Sequence, residues 1–210
     1  MFITSRTRRW RRAAALTAAA LALPALAAVG PASTASAGTI IPCGARSTAT
    51  PFRAWGDTRN YYPLQGGTFE GGAPGWSLYG NTAVTSGNEP WKVWGGGSGS
   101  LRVGPSATAV SPSFCVDPKE PFVRFFYKGP GVSTANLKVS VTVWRGSYTN
   151  TVQFWANGAS TAWQVSPAVN IPNVADSSTT STVSVKFEAV NSATAVWLVD
   201  DLSVDPWKSL

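Results

Sequence analysis

Between Leu137 and Trp155 the chain alternates in a way that a pair of antiparallel strands satisfies at every position. In Leu137-Lys138-Val139-Ser140-Val141-Thr142-Val143-Trp144-Arg145 the odd positions are apolar up to Val143, and the even ones are polar apart from Trp144. A period of two puts the two sets on opposite faces of a strand. Gly146-Ser147 follows, a dipeptide suited to a tight two-residue turn. The parity then inverts: Val152 and Phe154 form the apolar set, while Thr149, Thr151, Gln153 and Trp155 share the other face. Such a turn pairs Arg145 with Tyr148. It therefore sets Trp144 opposite Thr149, Thr142 opposite Thr151, Ser140 opposite Gln153 and Lys138 opposite Trp155. The faces agree at every rung, and a slip of one residue would mismatch them all.

The remainder of the chain supports the same class. Gly, Ser, Thr, Asn and Pro punctuate short stretches rich in Val, Phe, Trp and Tyr, and nothing after residue 37 keeps a helical period over three turns. Strands are expected over 75–79, 82–85, 91–94, 100–103, 121–128, 137–145, 148–155, 161–165, 182–189 and 195–204. Many short strands with frequent turns predict an all-β fold, a β-sandwich of jelly-roll type. There is no internal repeat. Gly95-Gly96-Gly97-Ser98-Gly99 is expected as a flexible loop; with no Lys-Ser/Thr and no helix pattern after it, it is not a phosphate loop.

Residues 1–37 are set apart from this fold. Arg6, Arg8, Arg9, Arg11 and Arg12 precede an Ala/Leu-rich run from Ala13 to Ala28, and Ala35-Ser36-Ala37 supplies a small-x-small cleavage site. This is the pattern of a secretory signal peptide, so the protein is expected outside the cell, with no membrane span after cleavage. Five of the 17 Lys+Arg leave with the signal and none of the 10 Asp+Glu, which takes the net charge from +7 to +2. No basic run is left, and nucleic acid is not an expected partner. The expected organisation is a signal at 1–37, an irregular segment at 38–60 and a sandwich at 61–210. In an exported chain the two cysteines, Cys43 and Cys115, are expected to form a disulfide. In the chain-entropy model it stabilises by about 4 kcal/mol, and it ties the polar 38–60 segment to the sandwich.

The hairpin also isolates a candidate binding face. Trp144 and Trp155 share it with Lys138, Ser140, Thr142, Thr151 and Gln153, and Trp163, Lys186 and Glu188 are expected at its border. A flat ring covers the C–H face of a pyranose while hydroxyl and amide groups take its hydroxyls. Covering one sugar face removes on the order of 100 Å² from water, about 2.5 kcal/mol before the costs of binding. The expected ligand is a polysaccharide or cell-surface glycan, bound through Trp144, Trp155, Lys138, Thr142, Thr151 and Gln153. A second reading stands beside it, a structural or protein-interaction domain at the cell surface. On that reading the two rings floor the N-terminal segment, whose Phe52, Trp55, Tyr61 and Tyr62 need a place to pack, and Lys138 over Trp155 is a cation–π pair. Trp91 and Trp94 form a weaker second site, while Trp76, Trp197 and Trp207 are expected to pack.

Catalysis finds little support. The chain has no histidine, which excludes Ser-His-Asp, Cys-His and histidine-ligated metal chemistry. No Gly-x-Ser-x-Gly element occurs. Asp200 and Asp201 are adjacent on an expected strand and so are expected to point to opposite faces, which makes them no glycosidase dyad. Glu70, Glu89, Glu120 and Glu188 have no distinguishing context. The chain is not expected to be an enzyme.

Two motifs bracket the expected sandwich. Phe69-Glu70-Gly71-Gly72-Ala73-Pro74-Gly75-Trp76 opens it and Trp197-Leu198-Val199-Asp200-Asp201-Leu202-Ser203-Val204 nearly closes it. This bracket resembles the ends of family 4/9 carbohydrate-binding modules, which are jelly-roll β-sandwiches. The resemblance implies a sugar-binding function and a structural calcium held by Glu70, Asp200 and Asp201. The chain departs from those modules in Leu64-Gln65-Gly66-Gly67-Thr68, where they carry Asn close before the Phe-Glu pair. Further motifs are Cys43-Gly44, Ser86-Gly87-Asn88-Glu89-Pro90, Phe114-Cys115-Val116, Arg124-Phe125-Phe126 and the Asp-Asp-x-x-Val-Asp-Pro-Trp ending at Trp207. With the bracket they make the chain similar to a group of secreted actinobacterial proteins, a resemblance that implies a fold and a compartment but no chemistry.

Overall fold

A computed structural model describes residues 43, 44, 46–116, 122–172 and 180–205. The chain divides into two units, Met1–Ser36 and Ala37–Leu210, and every described residue belongs to the second. The expected signal peptide, Glu120 and Trp207 lie outside the described residues.

The second unit is a sandwich of two antiparallel sheets. In chain order the strands are β1 (Tyr62–Pro63), β2 (Ser77–Tyr79), β3 (Thr82–Ser86), β4 (Gly99–Val103), β5 (Thr108–Val110), β6 (Phe114–Val116) and β7 (Phe122–Lys128). They continue as β8 (Asn136–Arg145), β9 (Tyr148–Asn157), β10 (Trp163–Val165), β11 (Val169–Asn170), β12 (Ser181–Val190) and β13 (Trp197–Val204). A seven-stranded sheet runs β10-β7-β13-β4-β3, with β1 beside β13 and β11 beside β7. A six-stranded sheet runs β2-β5-β12-β8-β9, with β6 beside β12. The chain passes back and forth between the two, as a jelly roll requires. Among the described residues the helical part is a 3-10 turn at Arg53–Trp55, and no helix is long and apolar enough to cross a membrane.

The central hairpin has the register read from its pattern. Trp144 faces Thr149, Thr142 faces Thr151, Ser140 faces Gln153 and Lys138 faces Trp155. Gly146, at φ +58°, takes the first turn position, where a side chain would be strained. The odd residues Leu137, Val139, Val141 and Val143 are fully buried and meet Val183, Val185 and Phe187 of β12 in one core. Phe125 from the opposite sheet crosses Phe187 edge-on at 5.1 Å, and Trp76 stacks on Phe187 at 6.1 Å. Trp76 and Trp197 are core residues, as expected. Each such side chain contributes about 1.5–3 kcal/mol by leaving water.

Three sequence expectations fail in the fold. Residues 91–94 form no strand, because the Glu89 carboxylate accepts the N–H groups of both Trp91 and Val93 and winds the segment into a turn. Asp200 and Asp201 do not alternate: the pairing of β13 with β7 shifts between Asp200 and Ser203, and Asp201 takes φ +50°. That bulge leaves both carboxyls buried. The stretch up to and including Tyr61 is also less polar in effect than its composition suggests. The disulfide does form, between Cys43 and Cys115, yet Phe52 and Tyr61 are themselves fully buried, in a small second core with Phe126.

Candidate functional site

The N-terminal segment covers the outer face of the seven-stranded sheet. Phe52 lies 5.4 Å from Phe126 and Trp55 5.2 Å from it, centroid to centroid, while Trp91 from the following loop approaches it at 5.3 Å. Trp163, on β10, joins this cluster and not the hairpin face. Trp91 meets Trp55 edge-on at 4.8 Å, and the Trp94 indole N–H donates to Ser203 Oγ at 2.9 Å. Trp94 is thus tied into the packing, whereas Trp91, although it touches Trp55 and Phe126, stays 43% exposed. An ion pair at 2.7 Å joins Arg124 of β7 to Asp57 of the segment, and Tyr61 donates its hydroxyl to the same carboxylate oxygen at 2.7 Å. Burial acts to raise the pKa of Asp57, but hydrogen bonds from Tyr61, Arg59 and Arg124 outweigh it and hold the carboxyl below its ordinary value.

The hairpin face has no such cover from the aromatic part of the segment. Trp144 is 38% exposed and Trp155 49%. Strand pairing extends this face across the whole six-stranded sheet. One row runs Trp155, Lys138, Glu188, Thr108, Tyr79, from the edge strand β9 to the edge strand β2. Tyr79, at 59%, has the highest exposure among the large apolar side chains of the described residues. Its place at the end of this row was not legible in the sequence, because nothing local reveals that β2 and β9 bound one sheet. Along β8, Trp144 stands six residues from Lys138, so the two tryptophans are about 20 Å apart. They are separate platforms and cannot sandwich one sugar.

Polar groups fill the space between. The Thr142 and Thr151 hydroxyls are hydrogen-bonded at 2.9 Å, and Ser140 and Ser184 lie short and buried beneath longer neighbours. Lys138 and Lys186 both reach Glu188 Oε2, at 3.3 and 3.0 Å. Burial works to raise the pKa of Glu188, but Lys186 first and Lys138 second overcome it and hold it below the ordinary value. Lys138 Nζ also stands 5.8 Å from the Trp155 ring centre, the cation–π arrangement anticipated from the sequence. At the far end, the Trp144 row continues through Thr182 to Cys115, whose carbonyl accepts from Arg46 at 2.8 Å.

The acids implied by the resemblance lie elsewhere. Glu70 accepts the N–H of Ser98 at 2.7 Å and of Gly99 at 3.2 Å, closing the Gly-rich loop. Asp200 accepts from the N–H of Glu89 at 3.1 Å and of Asp201 at 2.9 Å. The acid that joins Asp201 is Glu89, from the Ser-Gly-Asn-Glu-Pro loop, and it is buried as well. Burial first, and then the mutual proximity of these carboxyls, push Asp200 and Asp201 up to about 8. Among the described residues, no group of three metal-type side chains stands close enough to enclose an ion.

No protein-family model matches this sequence, and no curated protein matches it. Solved structures do resemble the fold. A family 61 carbohydrate-binding module in complex with β-1,4-galactotriose is 19% identical, with a TM-score of 0.45 over 67% of this chain and 95% of that one. A family 22 xylan-binding domain from Paenibacillus barcinonensis is 16% identical, with a TM-score of 0.44 over 80% and 100%. A family 16 carbohydrate-binding module is 16% identical, with a TM-score of 0.42 over 66% and 95%.

Proposed function

We propose that this domain is a secreted, noncatalytic binding module for a glycan, held on the outer face of the six-stranded sheet by Trp144 and Trp155. One observation carries the reading: two large rings stand exposed on a face of hydroxyl, amide and charged groups, while the N-terminal aromatics that were their alternative cover pack on the other sheet. Two weakly stacking platforms suit a polymer long enough to reach both, since each ring supplies only about 2.5 kcal/mol before costs.

Retention on a panel of soluble and insoluble polysaccharides tests it. Trp144→Ala and Trp155→Ala are each expected to weaken binding about tenfold or more, and together to abolish retention. Because both rings are half out in solvent, the variants are expected to melt within a few degrees of the parent. A double variant that keeps its fold and its retention would remove this face from consideration. Absence of retention by the parent on every glycan would favour the protein-interaction reading.

We extend the proposal to a structural calcium at Asp200 and Asp201, with backbone carbonyls completing its shell. The support is chemical: two adjacent carboxyls are buried with no Lys or Arg partner among the described ion pairs. Such a pair must be neutralised by protons or by a cation. Millimolar calcium is expected to raise the melting temperature, by more at pH 8 than at pH 5, and a chelator to reverse it. No shift at either pH would assign the neutralisation to protons alone.

A further inference from the structure

The hairpin face carries an uneven charge. In the rows that cross it, Lys138, Lys186 and Glu188 hold the charges, and both ammonium groups converge on a single carboxylate oxygen. The cluster therefore keeps one unit of positive charge. It stands towards one end of the long strands, beside Trp155 and within the row that ends in Tyr79, with Lys186 more exposed than either partner. Four strand spacings separate the rings at the two ends of that row, about 19 Å. Neutral hydroxyls and amides make up the polar groups around it. A neutral glycan has no use for a half-compensated cation between two aromatic platforms, whereas an acidic one does.

We infer that the ligand is an anionic polysaccharide with two lines of contact on this face, one along the hairpin from Trp144 to Trp155 and one across the strands from Trp155 to Tyr79, and that it sets a carboxylate or sulfate against Lys186 and Lys138. This rests on the glycan-binding reading above and adds to it the charge of the ligand and a third platform. Glu188 then has a defined part. It holds the two lysines in place and, being negative itself, limits how tightly an anion is held.

Paired probes that differ only in charge test the inference: polygalacturonate against its methyl-esterified form, and dextran sulfate against dextran. The charged member of at least one pair is expected to bind more tightly, and which pair responds identifies the anion. Lys186→Gln is expected to lower the charged-to-uncharged affinity ratio about twofold to fivefold, and Glu188→Gln to raise it by a similar factor. The preference should fade as salt is raised from 20 mM to about 500 mM, and Tyr79→Ala should weaken binding of the preferred polymer. A purely structural ion-pair cluster would not make Glu188→Gln a better binder. Equal affinity within both pairs, with binding still lost in Trp155→Ala, would overturn the anionic ligand and leave the glycan site standing. A preference that survives Trp155→Ala would overturn it too, as general attraction to a basic surface. If no probe and no neutral glycan binds, both readings fall together.

Discussion

Between pH 5 and pH 8 this protein is expected to lose several kcal/mol of folding stability. Burial first, and then the neighbouring acids, push Asp200 and Asp201 up to about 8 in the folded state, from an ordinary value of 3.8. Raised acids stabilise when protonated: the contribution is complete below about pH 4 and drains away as pH rises through about 8. Over that window the coupled pair removes on the order of 1 kcal/mol per pH unit. Both are almost wholly buried, so solvent does little to soften the effect. Denaturant midpoints across pH 5–9 measure the loss, and Asp201→Asn is expected to roughly halve its slope. A flat profile in calcium-free buffer would mean that both acids stay ionised in the folded state even at pH 5, with their charge compensated by something other than protons. The slope should also shrink when calcium is added, which ties the titration to the proposed cation.

Phe126→Ala is expected to cost about 3–5 kcal/mol, the usual range for emptying a buried phenylalanine site. The ring is fully buried beneath Phe52, Trp55 and Trp91, and it neighbours Asp200 across the β7–β13 pair. Its loss should therefore act at a distance along the chain. Limited proteolysis is expected to cut between Arg46 and Arg59 in the variant and to spare that segment in the parent. Since water would then reach Asp200, the alkaline loss of stability should lessen in the same variant. A variant that melts like the parent and resists protease would show that the disulfide and the Arg124–Asp57 pair hold the segment without the aromatic cluster.

How much of this was legible in the sequence depended on the range of the information. The hairpin was legible to the rung, because period two, a two-residue turn and a parity switch all act within nineteen residues. The strands at 108–110 and 114–116 were not, since three residues between prolines and serines show no period. Nor was the side taken by Phe52 and Tyr61, which depends on strand order. Trp163 was expected near the hairpin and lies on the other sheet for the same reason. The two aspartates were misread through a local rule: strict alternation holds only where a strand is regular, and Asp201 sits in a bulge. Glu89 has no local mark in the sequence beyond its place in the Ser-Gly-Asn-Glu-Pro loop. Its value comes from the turn it caps and the strand end it reaches, both of them tertiary facts.

The N-terminal aromatics occupy part of the outer face of the seven-stranded sheet, which on the proposed reading leaves the six-stranded sheet as the broad surface offered to a long polymer. If the proposed glycan site holds, a single copy of the domain is monovalent: it can decorate a fibre but cannot rivet two fibres together. Mixed with a dissolved polysaccharide, it should add mass to each chain without thickening the solution or setting it to a gel.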